Sequence, residues 1–152
     1  MPRPVTCLAL LLVGLGSVAY GDEAAKDDAM KAWSSFVGKW NVTNANGDTD
    51  TSQVSRSQSK SCFVHQAKNA THVVGWDSAD QSLKSVTFGA DGGHTIGQWK
   101  LAGEGPKFSG EIKGVGPDGT EGPTTGVTIT FVSNDRWEIV AGEMKITAER
   151  IE

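Results

Sequence analysis

The run Phe36-Val37-Gly38-Lys39-Trp40 marks the point at which the residue pattern changes from helical to extended. Before it, residues 22–36 are rich in alanine, and their apolar residues recur at helical spacing. Acidic residues crowd the first turns of this segment, where they favour the positive end of the helix dipole. After the run, turn signals arrive at short intervals. The sequence therefore predicts a short helix over 22–36 that caps one mouth of a β-domain over 37–152.

The segments after Trp40 alternate apolar and polar residues, which is the period of a half-buried strand. The pattern is clear in residues 108–113, 127–131, 137–141 and 144–148. Tight-turn residues separate these segments, and no helical pattern intervenes. Such strands favour an antiparallel up-and-down meander. We predict an all-β, antiparallel up-and-down β-barrel of about eight to ten strands, with a two-sheet sandwich as the structural alternative.

The first 21 residues have the features of a secretory signal peptide. Arg3 precedes an apolar core from Leu8 to Leu15, and small residues follow it. This core is shorter than the roughly 20 apolar residues of a membrane-spanning helix. Cys7 lies inside the core and not at a cleavage site, which gives no support to lipid anchoring. We expect cleavage near Asp22, no stable membrane anchor, and a secreted or periplasmic protein.

Charge and cysteine content limit the partners and the source of stability. Without residues 1–21, 13 Lys and Arg stand against 18 Asp and Glu, a net charge of −5. This balance does not suit nucleic acid as a partner. Cys62 is the one cysteine outside the leader, so an exported chain can form no intramolecular disulfide. The remaining length suits one domain stabilised by packing, in which Cys62 is a buried apolar filler.

Two parts of the sequence resemble known barrel proteins. Gly38-Lys39-Trp40 resembles the glycine-x-tryptophan signature of lipocalin-like barrels. The blocks Val73–Asp77, Ser85–Phe88, Asp91–Thr95 and Gly97–Trp99 are similar to an uncharacterised family of exported bacterial proteins with a lipocalin-like (calycin-type) domain. The similarity covers most of residues 36–151. It implies a lipocalin-like barrel and implies no particular activity.

The sequence favours a protein that is not an enzyme. Asp77 and Asp91 open tight turns, where their side chains can accept hydrogen bonds from the backbone two residues on. Cys62 and His65 are three residues apart in a predicted strand, which places the thiol and the imidazole on opposite faces. The sequence contains no nucleophile elbow, phosphate-binding glycine loop or zinc-protease helix.

His65 and His72 are the candidates for a haem or metal site. If Asn69-Ala70 forms a two-residue loop, the two histidines are diagonal neighbours on one face of a hairpin, roughly 7 to 8 Å apart. No His-x-His or Cys-x-x-Cys spacing accompanies them. The other interpretation is that they are scattered polar strand residues, and we predict no cofactor.

Large apolar residues on the inner strand faces are candidates to line a cavity. The candidate ligand-binding residues are Trp40, Phe108, Ile112, Phe131 and Trp137. Gly110, Gly114 and Gly126 would keep space open beside them, because glycine removes side-chain volume. Interior glycines also mark bends in barrel strands, which is the alternative interpretation.

Three functional hypotheses follow. The first is an exported lipocalin-like barrel that binds a small apolar or amphipathic ligand in its interior. The second is a structural or protein-interaction module of the cell envelope, with a filled barrel and an apolar patch on its outer face. The third is a haem- or metal-binding barrel that uses His65 and His72. The sequence identifies no particular ligand and no protein partner.

Overall fold

The computed structural model of the protein describes residues 23–103 and 105–151, and within these residues the chain forms one α-helix, one 3₁₀ helix and ten strands. The helix α1 spans Glu23–Trp33, and the 3₁₀ helix follows at Ser34–Phe36. The strands are β1 (Gly38–Thr43), β2 (Thr49–Arg56), β3 (Cys62–Ala67), β4 (Ala70–Asp77), β5 (Ser82–Gly89), β6 (His94–Leu101), β7 (Lys107–Val115), β8 (Glu121–Ser133), β9 (Arg136–Ala141) and β10 (Met144–Arg150). The predicted signal peptide, residues 1–21, lies outside the described residues. In the part of the chain that is described, no helix has the length and apolar character needed to cross a membrane.

The strands form one closed antiparallel barrel. Each strand pairs with its neighbours in sequence, and β10 returns to pair with β1. Across this closing contact Trp40 is opposite Arg150 and Thr43 is opposite Thr147. Closure leaves no free edge in the sheet formed by the described strands. The predicted up-and-down barrel preceded by a short helix is confirmed, at ten strands in the described residues, and the two-sheet sandwich is excluded.

The aspartates at the strand ends stabilise turns. The Oδ1 atom of Asp77 accepts a hydrogen bond from the Ala79 amide at 2.9 Å, and that of Asp91 accepts one from the Gly93 amide at 3.0 Å. In the second turn, Gly92 lies between Asp91 and Gly93 and has a φ of +89°, a conformation that glycine adopts without the steric cost of a side chain. Both aspartates therefore act as turn residues, as the sequence predicts.

The helical lead-in closes one end of the barrel with aromatic side chains. Its buried residues are Ala29, Met30, Trp33 and Phe36, which lie on one helical face. The centre of the Trp33 ring is 4.7 Å from that of Phe108, and the centre of the Phe36 ring is 4.6 Å from that of Phe131. We call this cluster, with Trp40 and Trp137, the closed end.

Arg150 ties the last strand to the segment that enters the first. Its guanidinium lies 4.1 Å from the centre of the Trp40 ring. Its Nη1 donates to the Val37 carbonyl at 2.8 Å, and its Nη2 donates to the Ser35 carbonyl at 2.9 Å. The Trp40 indole Nε1 donates in turn to the Phe36 carbonyl at 2.7 Å. The chain that leads from the 3₁₀ helix into β1 is thereby held against the barrel.

Candidate ligand-binding site

The half of the barrel away from the closed end contains a cavity of about 290 Å³, which we call the upper cavity. Its walls are the inner faces of β3 to β10. It is lined by His65, Ala67, Ala70, His72, Ser85, Thr87, Thr95, Trp99, Ile112, Val127, Ile139, Ala141, Met144 and Ile146. None of these described side chains is Asp, Glu, Lys or Arg.

A smaller space of about 50 Å³, the lower cavity, lies between the upper cavity and the closed end. It is lined by Trp33, Phe36, Val54, Phe63, His65, His72, Val74, Ile129, Trp137 and Ile139. His65, His72 and Ile139 border both cavities. The histidines therefore form part of the boundary between the two spaces.

Trp99 lies flat against the inner wall and forms part of the upper cavity. Its ring occupies the space above two glycines: a Cβ added to Gly97 would be 2.9 Å from Trp99 Nε1, and one added to Gly110 would be 2.8 Å from Trp99 Cε3. The indole Nε1 donates to Ser85 Oγ at 2.8 Å. The space beside Gly110, expected to be open, is thus filled by the Trp99 ring.

Gly126, also expected to open the interior, faces outward instead. It is opposite the exposed Glu111 on β7, whereas its neighbour Val127 is buried and lines the upper cavity. Alternation along a strand sends adjacent side chains to opposite faces. Gly114 faces inward opposite Thr95, and a Cβ there would meet only Thr95 Oγ1 at 4.0 Å.

His65 and His72 face each other directly across β3 and β4. The tight turn is Lys68-Asn69, because Ala67 is opposite Ala70, and this register places His65 opposite His72. The centres of the two rings are 6.1 Å apart, with planes inclined at 66°. The prediction that the histidines share a face is confirmed, but the predicted diagonal arrangement is wrong, because the turn lies one residue earlier than expected.

Both imidazoles are neutral at neutral pH. Burial lowers the pKa of His65 below its ordinary value. For His72, burial and then electrostatic repulsion by His65 lower the pKa to about 4. The described walls of the upper and lower cavities therefore carry no ionised side chain at pH 7.

Buried polar atoms without partners occur at the interior. Among the described residues, the buried side-chain atoms that lack a hydrogen-bond partner are Ser52 Oγ, His65 Nε2 and Trp137 Nε1. His65 and Trp137 both line the lower cavity. Leaving a buried polar group unpaired costs about 1–3 kcal/mol, and most such groups in folded proteins have a partner. Two residues that line the lower cavity thus each carry a nitrogen atom without a hydrogen-bond partner.

The five predicted cavity residues occupy different parts of the barrel. Ile112 lines the upper cavity and Trp137 lines the lower cavity. Trp40 and Phe108 are fully buried, and together with Phe131 they pack into the closed end without lining either cavity. The position of each residue along its strand was the sequence signal that could have separated the closed-end residues from the cavity residues. Trp40, Phe108 and Trp137 lie near the start of odd-numbered strands and Phe131 near the end of an even-numbered strand, which are the same end of a meander.

The side-chain positions give little support to a metal site or to a reactive cysteine. In residues 23–103 and 105–151, no group of three or more His, Cys, Asp or Glu side chains is arranged to hold a metal ion. Cys62 is half-buried and opposite Gly75 on the outer face, so its interpretation as a buried filler is wrong. His65 lies on the inner face, so the thiol and the imidazole are on opposite faces, as their separation predicts.

The outer face carries a row of apolar residues across β3 to β6. Val64, Val73, Val86 and Ile96 are successive cross-strand partners. Ile96 is 49 % exposed, and Phe88 nearby is 56 % exposed. Such a row is the outer apolar patch that the hypothesis of a protein-interaction module expects. The same hypothesis expects a filled interior, and the upper cavity does not agree with that expectation.

Comparison of the chain with models of known protein families found no match, and comparison with curated proteins found no significant match. The fold is compatible with the lipocalin-like barrel that Gly38–Trp40 resembles, since ten antiparallel strands close around an interior cavity. Membership in the exported bacterial family stays a prediction from the sequence blocks.

Proposed function

We propose that this protein is an exported lipocalin-like barrel that binds a small apolar or amphipathic ligand in its interior. The upper cavity is the observation that carries the proposal. Ligand sites in proteins are typically concave, mostly apolar spaces of about 300–1,000 Å³ with a few polar groups that fix orientation. The upper and lower cavities together fall at the small end of this range and have such a lining.

Binding in this cavity would be driven by removal of apolar surface from water. The wall residues Ile112, Val127, Ile139 and Ile146 belong to four strands of one closed sheet, so the cavity is held open by the fold and needs no ordering on binding. Met144 stands at the rim with 41 % of its surface exposed. Its flexible thioether side chain suits a position where a ligand enters.

The first test is native mass spectrometry of the protein purified from its own exported fraction, compared with the mass of the same sample after denaturation. An extra mass that is lost on denaturation supports the proposal and identifies the ligand. The second test uses N-phenyl-1-naphthylamine, an uncharged fluorophore whose emission increases in apolar surroundings. The wild-type protein is expected to bind one equivalent with saturation.

Two variants of β8 locate the binding. Val127→Phe places a ring in the upper cavity and is expected to abolish binding of the fluorophore. Val132→Phe makes the same change at a position that is 58 % exposed and is expected to leave binding unchanged. Absence of saturable binding to the wild type, or equal binding by the two variants, would show that the interior is not a ligand site.

The histidine pair favours one further candidate function, the haem- or metal-binding barrel. The supporting observation is the pair of facing rings that border both cavities. Calorimetric titration with Zn²⁺ and absorption spectra after mixing with haem test it. A saturable site or a Soret band that disappears in His72→Gln would select this function, and the absence of both eliminates it.

A further inference from the structure

The charge of the cavity walls limits the class of ligand. No described Asp, Glu, Lys or Arg lines the upper or the lower cavity. Moving a carboxylate or an ammonium group from water into such a space without an opposite charge is strongly unfavourable. The burial that holds both histidines in the neutral form removes the remaining source of positive charge at pH 7. The cavities therefore suit an uncharged molecule.

The unpaired nitrogens define the polar part of that molecule. Trp137 Nε1 is a donor only, so its partner must be an acceptor. A neutral imidazole nitrogen such as His65 Nε2 either donates or accepts, according to its tautomer. A hydroxyl group can accept from the indole and donate to the imidazole, and a carbonyl oxygen can accept from both. An ammonium group would leave the indole N–H without an acceptor.

The sizes of the two cavities set the shape of the molecule. The lower cavity, about 50 Å³, has room for one small group, since a water molecule takes roughly 30 Å³. The upper cavity is several times larger and has a mainly apolar wall. One polar group at the end of a compact apolar body fits this pair of spaces.

We propose that the ligand is an uncharged molecule with an apolar body and a single hydroxyl or carbonyl oxygen. The oxygen binds His65 and Trp137 in the lower cavity, and the apolar body fills the upper cavity. This inference rests on the proposed function and specifies the ligand class of the same site. In this arrangement the histidine pair lies at the boundary between the apolar body and the oxygen of the ligand.

The test compares three eight-carbon compounds that differ only in the polar group. The protein is purified from its exported fraction and loaded with N-phenyl-1-naphthylamine. 1-Octanol, octanoate and octylamine are then titrated against it at pH 7.5. 1-Octanol is expected to displace the fluorophore at a concentration at least tenfold lower than either charged compound. Octanoate or octylamine competing as well as 1-octanol would overturn the proposal.

Variants of His65 test the hydrogen bond. His65→Leu is expected to weaken 1-octanol binding about fivefold, the effect of one net hydrogen bond of about 1 kcal/mol, after correction for the fluorophore affinity measured on the same variant. His65→Gln keeps a donor and an acceptor and is expected to retain 1-octanol binding. His94→Leu makes the matched change outside both cavities and should have no effect. Unchanged 1-octanol affinity in His65→Leu would overturn the proposal.

The outcomes separate the two proposals. If the fluorophore binds and Val127→Phe abolishes its binding, the interior is a ligand site whatever the order of the three compounds. If that order is wrong, only the ligand class proposed here is refuted. If neither the fluorophore nor 1-octanol binds the wild-type protein, both proposals are refuted.

Discussion

Replacing Arg150 by methionine is expected to lower the free energy of unfolding by about 3 kcal/mol, the sum of the contacts considered below. The guanidinium of Arg150 joins β10 to the segment that carries the closing helix into β1. Methionine keeps an unbranched chain that can still cover Trp40, but it removes every hydrogen bond that the guanidinium donates. The change therefore measures how much the polar contacts of Arg150 contribute to closing the barrel.

The magnitude follows from three contacts. The hydrogen bonds to the Val37 and Ser35 carbonyls, at 2.8 and 2.9 Å, involve a charged donor. We assign each of these hydrogen bonds about 1–1.5 kcal/mol. This value is at or below the lower limit for hydrogen bonds to charged groups, because the Arg150 side chain is 25 % exposed and water weakens the interaction. The stacking on Trp40 at 4.1 Å adds roughly 0.5–1 kcal/mol. The long hydrogen bond from Arg150 Nε to the Asn134 carbonyl, at 3.3 Å, and the contact with the exposed Asp135 at 3.5 Å add little.

The assay is urea unfolding monitored by tryptophan fluorescence. The slope of the unfolding free energy against urea concentration should be the same for all variants. Thermal unfolding of Arg150→Met should show a fall in Tm of roughly 10 °C for a domain of this size. Arg136→Met is the matched control. The Arg136 side chain is 45 % exposed and forms ion pairs with Glu138 at 3.0 Å and Glu149 at 3.9 Å, so its replacement should cost less than about 1 kcal/mol.

Lysine at position 150 gives a further check. It keeps the positive charge but cannot donate two hydrogen bonds in a planar fork while stacking on Trp40, so Arg150→Lys should fall between the wild type and Arg150→Met. The reasoning is refuted if Arg150→Met and Arg136→Met differ by less than about 0.5 kcal/mol, the usual size of a surface effect.

Three other predictions concern the interior and the leader. Because the pKa of His72 falls to about 4 in the folded protein, its contribution to stability is complete above pH 6.5 and is lost as pH falls toward 4, by at most about 3 kcal/mol. Urea unfolding at pH 7 and pH 4 should show a smaller loss in His72→Gln than in the wild type, and equal losses would contradict the assignment. Gly110→Ala should cost about 2 kcal/mol, because the new Cβ would meet the Trp99 ring and the neighbouring strand, whereas Gly126→Ala has open space and should change Tm little. Intact mass of the exported protein should give a chain that begins near Asp22, and retention of residues 1–21 would refute the signal peptide.

The strand architecture could be predicted because it depends on local chemistry. Alternating residues such as those of 108–113 and turn residues such as Asp91-Gly92-Gly93 act over short distances, and the backbone followed them. The pattern also placed Phe108 and Ile112 on the inward face, although Gly126 and Cys62, both expected in the interior, face outward. His65 and Cys62 lie on opposite faces, as their spacing requires.

The position of each inward residue along the barrel axis was harder to predict, because it depends on the register between neighbouring strands. At the β3–β4 turn, Lys68-Asn69 and Asn69-Ala70 are both plausible two-residue loops from their composition. A shift of one residue in the turn changes the partner of His65 by two positions. It decides whether His65 and His72 are diagonal or directly opposite.

Long-range contacts were beyond the sequence pattern. Nothing near Arg150 in the sequence identifies Trp40, Val37 or Ser35 as its partners, because these residues are more than one hundred positions away. In the same way, the filling of the Gly110 position by Trp99 requires the pairing of β6 with β7 to be known. The Arg150 contacts come from closure of the barrel, which places the two ends of the chain side by side, whereas the Trp99–Gly110 contact comes from the register of the neighbouring strands β6 and β7.

The distribution of large side chains separates the stability of this barrel from its proposed binding function. The rings of Trp33, Phe36, Phe108 and Phe131 pack together at the closed end, where they bury most apolar surface per residue. Apart from Trp99, the other half is lined by smaller residues such as Val127 and leaves space between them. Since the closed end supplies the packing, the upper cavity does not need to be filled for the sheet to close. The unpaired nitrogens lie between these two regions, where a ligand that entered through the open half would reach them last.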